Sequence, residues 1–283
     1  MKNIQLSVII PVFYGEEIFE KCLEILYPAC ESRLGRDWEI LVLNNGFNPE
    51  RWQELQEIYP KVKFYGDGSE NIGFARGNNF LIEKAKGEFI LMLNQDVFVK
   101  PAVIEKLLKF LEENQEYSCV SPQLRFEDGT PQYSCRPDPK GVFFLLKSAL
   151  AGWKSFYFYY SPDKSGEVDH AGGSCLLWRS EILKKLKGFD PHPYYFLYFN
   201  DVDLSYRLRK AGGKIYFLST VWVTHLHGKS ANLLPENERI FHLYKGLGRF
   251  WYKTGSNYFV AYSKAFLGAC IIGIGKLVNK LSK

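Results

Sequence analysis

Cysteine does little for this chain. Its six cysteines (22, 30, 119, 135, 175 and 270) are scattered, with no C-x-x-C pair and no His/Cys spacing of a zinc site. That excludes a disulfide framework and a cysteine-ligated metal, and predicts reduced thiols in a cytosolic protein. Long hydrophobic runs are missing too: the apolar run 265–275 is shorter than the ~20 residues that span a bilayer. A strand pattern starts almost at residue 1, so no signal peptide is expected. No repeat or low-complexity segment is visible. Acid is absent after Glu238, whereas Arg239, Lys245, Arg249, Lys253, Lys264, Lys276, Lys280 and Lys283 follow it. The tail alone therefore carries more positive charge than the net +5 of all 283 residues.

What is present is an ordinary globular balance, 46% hydrophobic and 24% charged, with aromatics raised to 16%. The apolar run Leu6–Val12 reads as a strand covered on both faces, with Pro11 at its end because proline cannot donate to a ladder. A helix period over 16–30, a strand Glu39–Leu43 ending in Asn44-Asn45-Gly46, a helix with Trp52, Leu55 and Ile58, and a strand Val62–Tyr65 follow. This β-α-β-α-β order is a half-sheet of nucleotide-binding type. A helix over 101–114, a strand Cys175–Trp178, a helix running to Lys187 and closed by Gly188, a helix to Lys210 stopped by Gly212-Gly213, and a strand 214–218 complete the regular parts. Residues 119–139 are loop-rich. Residues 142–160 are apolar and aromatic, which suits either a core element or a lipid-gripping one.

Four stretches carry chemistry. In Gly87–Val97 a buried strand 89–93 delivers a polar turn, Asn94-Gln95-Asp96. Ligands bind outside the carboxyl ends of strands in open α/β sheets, so Asp96 is placed to hold a cation against a phosphate, unless it only satisfies turn amides. In Asn71–Asn79, Gly73 and Gly77 permit close backbone approach, the following helix offers free amides and Arg76 offers a fork for phosphate. The plain alternative is a glycine loop closing on a helix cap. Asp201 and Asp203 stand at a helix start, as N-caps or as a general base held ionised beside a pocket. His225 and His227 alternate on a strand-like segment, so one of them faces the pocket.

Taken in order, Val-Ile-Ile-Pro-Val, Glu-Ile-Leu-Val-Leu-Asn-Asn-Gly, Asn-Ile-Gly-Phe-Ala-Arg-Gly-Asn-Asn, Leu-Asn-Gln-Asp-Val, Phe-Asn-Asp-Val-Asp-Leu and His-Leu-His-Gly-Lys-Ser resemble the family 2 inverting glycosyltransferases, in particular the rhamnosyltransferase-like group. The resemblance covers about residues 4–230. It implies a GT-A fold, an α/β architecture with a Rossmann-like, mostly parallel central sheet and flanking helices. The domain would span 1–230, with 1–100 the nucleotide-sugar half and 101–230 the acceptor half. Asn94 and Asp96, with Gln95 between them, occupy the family's metal motif, so Asp96 would ligate Mg²⁺ or Mn²⁺ bridging the donor's phosphates. Asp201 matches the base, and His225 or His227 the late histidine near metal and pyrophosphate. Asn71, Arg76 and Asn79 match the loop beside the nucleotide diphosphate; Pro11, Val12 and Asn44 match the base- and ribose-binding positions.

Three positions depart from the family pattern. Tyr14-Gly15 replace the usual Asn after the first strand, Asn44 stands for the aspartate ending the second strand, and Asn200 for the glutamate before the base. The first two bear on the donor's nucleotide; the third leaves Asp201 intact. The resemblance implies one in-line displacement at the anomeric carbon, with Asp201 taking the acceptor proton and the metal neutralising the departing nucleoside diphosphate. The expected partners are a nucleotide-diphosphate sugar, dTDP-rhamnose first, and a glycan or polyprenyl-pyrophosphate-linked acceptor; no nucleic acid is expected. The tail 231–283 reads as a basic amphipathic helix. It presents Phe259, Phe266, Cys270, Ile274, Leu277 and Leu281 on one face, to lie on the inner face of the plasma membrane or to pack on the core. A non-catalytic nucleotide-sugar sensor of the same fold is the alternative, favoured by Asn44 and Asn200. A nucleotidyltransferase would want a glycine-rich basic signature after the first strand, where Tyr14-Gly15-Glu16-Glu17 stand.

Overall fold

Leu6–Val12 form β1, buried at every position, and the sheet grows from both of its edges. On one side lie β2 (Trp38–Asn44) and then β3 (Lys63–Tyr65), both parallel. On the other lies β4 (Phe89–Leu93), also parallel. The chain thus winds outward through β3 and returns across β1, which leaves a switch point between β1 and β4 at their carboxyl ends. The computed structural model describes residues 4–13, 15–31, 37–139, 162–226, 235–267 and 270. Tyr14, the stretch 142–160, His227 and the rest of the tail lie outside them.

Beyond β4 the sheet changes character. Its second half uses β5 (Val97–Phe98), β6 (Cys119–Arg125), β8 (Gly166–Val168), β10 (Cys175–Arg179) and β11 (Ile215–His225), while β7 (Cys135–Arg136) and β9 (His170–Ala171) make a separate ribbon. Among the described residues the order is β3-β2-β1-β4-β10-β6-β11-β5, with β8 also on β11. β10 enters antiparallel between β4 and β6, and β5 and β8 run antiparallel to β11. The sheet expected to be mostly parallel is so in its first half and mixed in its second. The segment expected as a strand 214–218 is one strand to His225, with a register slip between Leu218 and Trp222. The irregularity there leaves Ser219, Thr220 and Val221 without a partner on β6, where the sequence pattern breaks.

Period-two alternation assigns the layers. Leu6, Val8, Ile10 and Val12 face the helices α1 (Glu16–Glu31), α2 (Pro49–Ile58) and α4 (Pro101–Glu113), packing with Phe19, Leu23, Trp52, Leu55, Ile104 and Leu108. Ile9, Leu41, Ile90 and Met92 face the opposite layer of α3 (Gly73–Lys84), α5 (Ser180–Lys185) and α6 (Asn200–Lys210). A third cluster joins Tyr195, Phe199 and Val202 to α7 (Glu236–Lys253) and to Ala261, Tyr262 and Ala265 of the helical residues 258–267. Pro11 falls where its missing N–H does no harm, because pairing with β4 ends at Ile9. Cys22, Cys119, Cys135 and Cys175 are buried free thiols, and burial pushes Cys135 and Cys175 up to about 12.

The far end of the sheet from the switch point is fastened by one buried carboxylate. Glu39, 4% exposed, accepts from the Ser7 hydroxyl at 2.5 Å, the Lys86 amide at 2.7 Å and the Lys63 ammonium at 2.6 Å. Ser7 Oγ in turn accepts from the Gly87 amide at 2.8 Å, so β1, β2, β3 and the entry to β4 share one network. Burial pushes the Glu39 carboxyl up, but Lys63, Ser7 and the Lys86 amide together bring it below its ordinary value. Its stabilising effect is therefore present above the unfolded carboxylate range and lost as pH falls through the lowered folded value. Glu39→Gln is expected to cost about 2 kcal/mol at neutral pH. It should also flatten the acid limb of the stability–pH curve; a chemical-denaturation series from pH 3 to 7 that shows the wild-type slope retained would contradict this.

Candidate active site

The carboxyl ends of β1, β2 and β4 converge on the turn 94–96, and the antiparallel pairing of β5 with β11 sets His225 opposite Val97. Leu226 N donates to Asp96 O at 3.0 Å. Backbone pairing alone thus brings two residues 129 positions apart in sequence to one edge (Asp96 and His225). Asp96 Oδ1 stands 3.6 Å from His225 Nε2, and both side chains are nearly buried.

Gln132 fixes the imidazole. Its Nε2 donates to His225 O at 2.6 Å, which leaves Oε1, 2.8 Å away, to accept from His225 Nδ1. His225 Nε2 is thereby aimed at the Asp96 carboxylate. Among the described residues that carboxylate accepts no hydrogen bond. An imidazole nitrogen and a carboxylate oxygen side by side are a donor set suited to a shared divalent cation. No group of three or more His, Cys, Asp or Glu gathers at one point among the described residues. A Mg²⁺- or Mn²⁺-type ion needs no more, since it keeps waters and takes substrate phosphate oxygens alongside one or two carboxylates. The residues present fit such an ion, with Asp96 and His225 as its protein ligands.

From this edge the site extends to the base candidate through the strap 172–174. Asn94 N donates to Ser174 O at 2.9 Å and Asn94 Nδ2 to Ser174 Oγ at 3.3 Å. Gly173 N donates to Asp201 Oδ2 at 3.4 Å, and Gly172 N to Ser134 O at 2.7 Å. Asp201 opens α6, and its Oδ1 accepts from the Val202 amide at 2.8 Å. Asp203, by contrast, is 1% exposed and is held by Arg207 Nε at 2.7 Å, Tyr195 OH at 3.3 Å and the Lys253 ammonium. Of the two acids only Asp201 has its carboxylate turned toward the strap. Asn200 Oδ1 accepts from the Asp201 amide at 2.7 Å.

The loop 71–79 closes the other side. Asn45 Oδ1 accepts from Ile72 N at 2.8 Å and Asn71 Oδ1 from Gly73 N at 2.9 Å, so the strand end and the loop are tied. At Gly77 a Cβ would stand 3.3 Å from Pro11 Cβ, which is how α3 approaches β1 closely. Arg76 is exposed and lines a hollow of about 320 Å³ between Glu70–Arg76 and Pro191–Phe196. Phe74, also in its lining, and Asp201 both approach Gly173: a Cβ there would stand 3.7 Å from Phe74 Cζ and 3.5 Å from Asp201 Cβ. Asn79 does not point there. Its amide clips the Phe189 backbone, donating to Phe189 O at 2.8 Å and accepting from Phe189 N at 2.8 Å. Gln95 Oε1 accepts from Phe13 N, joining the metal turn to the end of β1, beyond Val12. Asn44 ends β2, 3% exposed, with Oδ1 accepting from Gly46 N and Phe47 N and with Nδ2 buried and unpartnered.

The structure thus brings Asp96, His225, Asn94 and Asp201 to one edge, with Pro11, Val12, Asn44 and Gln95 at the neighbouring strand ends. Arg76 and Asn71 stand across a hollow, and Asn79 behind the loop. The sequence assigns no role to Gln132, Ser174 or Asn45; each is identified only by the partner that folding gives it.

The chain is similar to proteins of known kind. The profile of the family described as glycosyl transferase family 2 matches residues 7–187. The N-acetylglucosaminyl-diphospho-decaprenol L-rhamnosyltransferase of Mycobacterium tuberculosis is 26% identical over 225 residues, covering 73% of this chain and 72% of that one. The rhamnosyltransferase WbbL of Escherichia coli is 28% identical over 228 residues, covering 77% and 82%. Among solved structures, the mannosyltransferase PcManGT from Pyrobaculum calidifontis with GDP-Man and Mn²⁺ aligns at a TM-score of 0.58, with 16% identity over 94% of this chain and 74% of that one. GalNAc-T7 with UDP, GalNAc and Mn²⁺ aligns at 0.60, with 12% identity over 94% and 54%. The fold is therefore GT-A, and the chain belongs to glycosyltransferase family 2, in its rhamnosyltransferase-like part.

Proposed function

We propose that this glycosyltransferase moves a sugar, rhamnose from dTDP-rhamnose in the first instance, to a hydroxyl of a glycan or polyprenyl-pyrophosphate-linked acceptor, with inversion at the anomeric carbon. One observation carries the reading: Asp96 and His225 share an edge that the strap 172–174 joins to the Asp201 carboxylate. Asp201, at the start of α6, takes the proton of the acceptor hydroxyl as that oxygen attacks the anomeric carbon. The bond to the nucleoside diphosphate breaks in the same step, so the configuration inverts once. Asp96 and His225 would hold Mg²⁺ or Mn²⁺, which supplies charge neutralisation for the departing diphosphate. Asn71 and Arg76 line the diphosphate side. Asn44, at the end of β2, stands at the position that the family resemblance gives to the nucleobase contact.

The tail supports a membrane role. No helix among the described residues is long and apolar enough to cross a bilayer. Yet 258–267 packs only one face, through Ala261, Tyr262 and Ala265. It leaves Phe259 80%, Phe266 61% and Leu267 55% exposed. Of the apolar face expected for this tail, Phe259 and Phe266 point outward and Cys270 is half-buried, while Ile274, Leu277 and Leu281 lie outside the described residues. With Lys264 beside it and no acid after Glu238, the outward face suits the interface of an anionic membrane, where a polyprenyl acceptor resides. The enzyme would then work at the cytoplasmic face.

Two experiments test these readings. Nucleotide release from a panel of sugar nucleotides with Mg²⁺ or Mn²⁺ should single out one donor, and Asp201→Asn should lower its turnover by about 10²–10⁴-fold. Tight donor binding without turnover on any acceptor would favour a sensor instead. Deleting residues 257–283 should abolish sedimentation with anionic liposomes. Sedimentation that survives the deletion would sink the membrane reading.

A further inference from the structure

The helix α7 does more than cover an aromatic cluster. Its middle crosses the turn that immediately precedes the base. A Cβ on Gly246 would stand 2.6 Å from Tyr198 O and 3.3 Å from Phe199 Cβ, so only glycine lets the two backbones meet here. Phe199 itself adopts φ +68°, a left-handed conformation that a bulky residue holds only when its surroundings over-determine it. That residue is the N-cap of α6, and Asp201 is two positions on.

The last turn of α7 reaches the same helix through charge. Lys253 Nζ bonds to Asp203 Oδ1 and, at 2.9 Å, to Asp190 Oδ2. Arg249 Nη2 stands 3.5 Å from the same Asp190 oxygen. Asp190 Oδ1 accepts from the His192 amide at 3.0 Å and so orders the segment 191–196 that lines the hollow opposite Arg76. Burial pushes the Asp190 carboxyl up, but Lys253, the His192 amide and Arg249 bring it below its ordinary value. One ammonium therefore joins α7, the wall of the hollow and the helix that carries the base. Asp203 cannot lose it cheaply, since a carboxylate that is 1% exposed has little water to fall back on.

We infer that α7 is part of the catalytic unit: Lys253, through Asp203 and Asp190, and Gly246, against the Tyr198 carbonyl, are positioning residues that set where Asp201 stands. This rests on Asp201 acting as the base of a glycosyl transfer. The clamp meets Asp203 on the helix of the base and, through Asp190, only one wall of the hollow opposite Arg76, so disturbing it changes the chemical step more than donor binding.

The test uses the full chain with Lys253→Met, Lys253→Arg and Gly246→Ala, assayed on whichever sugar nucleotide the wild type turns over. Lys253→Met and Gly246→Ala should each lower kcat by about tenfold or more, and KM for the donor should change by less than kcat does. Lys253→Arg should recover most of the loss. Hydrogen exchange of peptides covering 195–205 should quicken in Lys253→Met, with β1 and β4 unchanged. An unaltered kcat in folded Lys253→Met overturns the inference. So does a loss that Lys253→Arg does not recover, accompanied by exchange raised evenly across the chain, because that would mark a general brace. Localised exchange in a protein that turns over no donor would support the clamp and count instead against the transferase reading.

Discussion

A carboxylate withdrawn from water must be given company, and the arrangement of this active edge follows from that requirement. Asp96 is 5% exposed and accepts no hydrogen bond among the described residues. Its neighbour at 3.6 Å is an imidazole nitrogen. For that nitrogen to be there, β5 must pair with the end of β11, Gln132 must hold Nδ1, and the hairpin after β6 must deliver Gln132. Gln123 extends the support by donating to Gln132 O at 3.0 Å. The second half of the sheet, with its antiparallel insertions, is the scaffold that keeps one histidine beside one aspartate.

Three aspartates show how environment divides labour among identical side chains. Asp96 faces an imidazole nitrogen and is suited to a cation. Asp203 is surrounded by Arg207, Tyr195 and Lys253 and has become a fastening. Asp201, on the same helix, meets only backbone amides at Gly173 and Val202 among the described residues, which hold a carboxylate without neutralising it. That leaves it able to accept a proton from an incoming hydroxyl.

Much of this was legible in the sequence, for identifiable reasons. The β1 run, the apolar strand before Asp96 and the Asp201 helix start are written in contiguous residues whose period or punctuation is local. Asn71 and Gly77 were legible too, since loop-to-helix chemistry is local. The antiparallel entry of β10 was not, because five buried residues look alike in either direction. Nor were Gln132 and Ser174, which matter through partners 93 and 80 positions away. Asn79 sits in the right motif yet spends its amide on Phe189, a contact set by where α5 ends. In the tail, tertiary packing shows that Tyr262 turns inward and Phe259 outward, which helical spacing alone does not decide.

The central claim is that the edge formed by Asp96 and His225 grips a divalent cation together with a nucleoside diphosphate. Electron paramagnetic resonance of Mn²⁺ titrated into the protein, with UDP, dTDP and GDP supplied in turn, reads this directly. The account predicts that one diphosphate removes free Mn²⁺ from the spectrum and that Asp96→Asn abolishes the effect. Retention of Mn²⁺ to the same degree by Asp96→Asn, or no retention with any diphosphate, would contradict it.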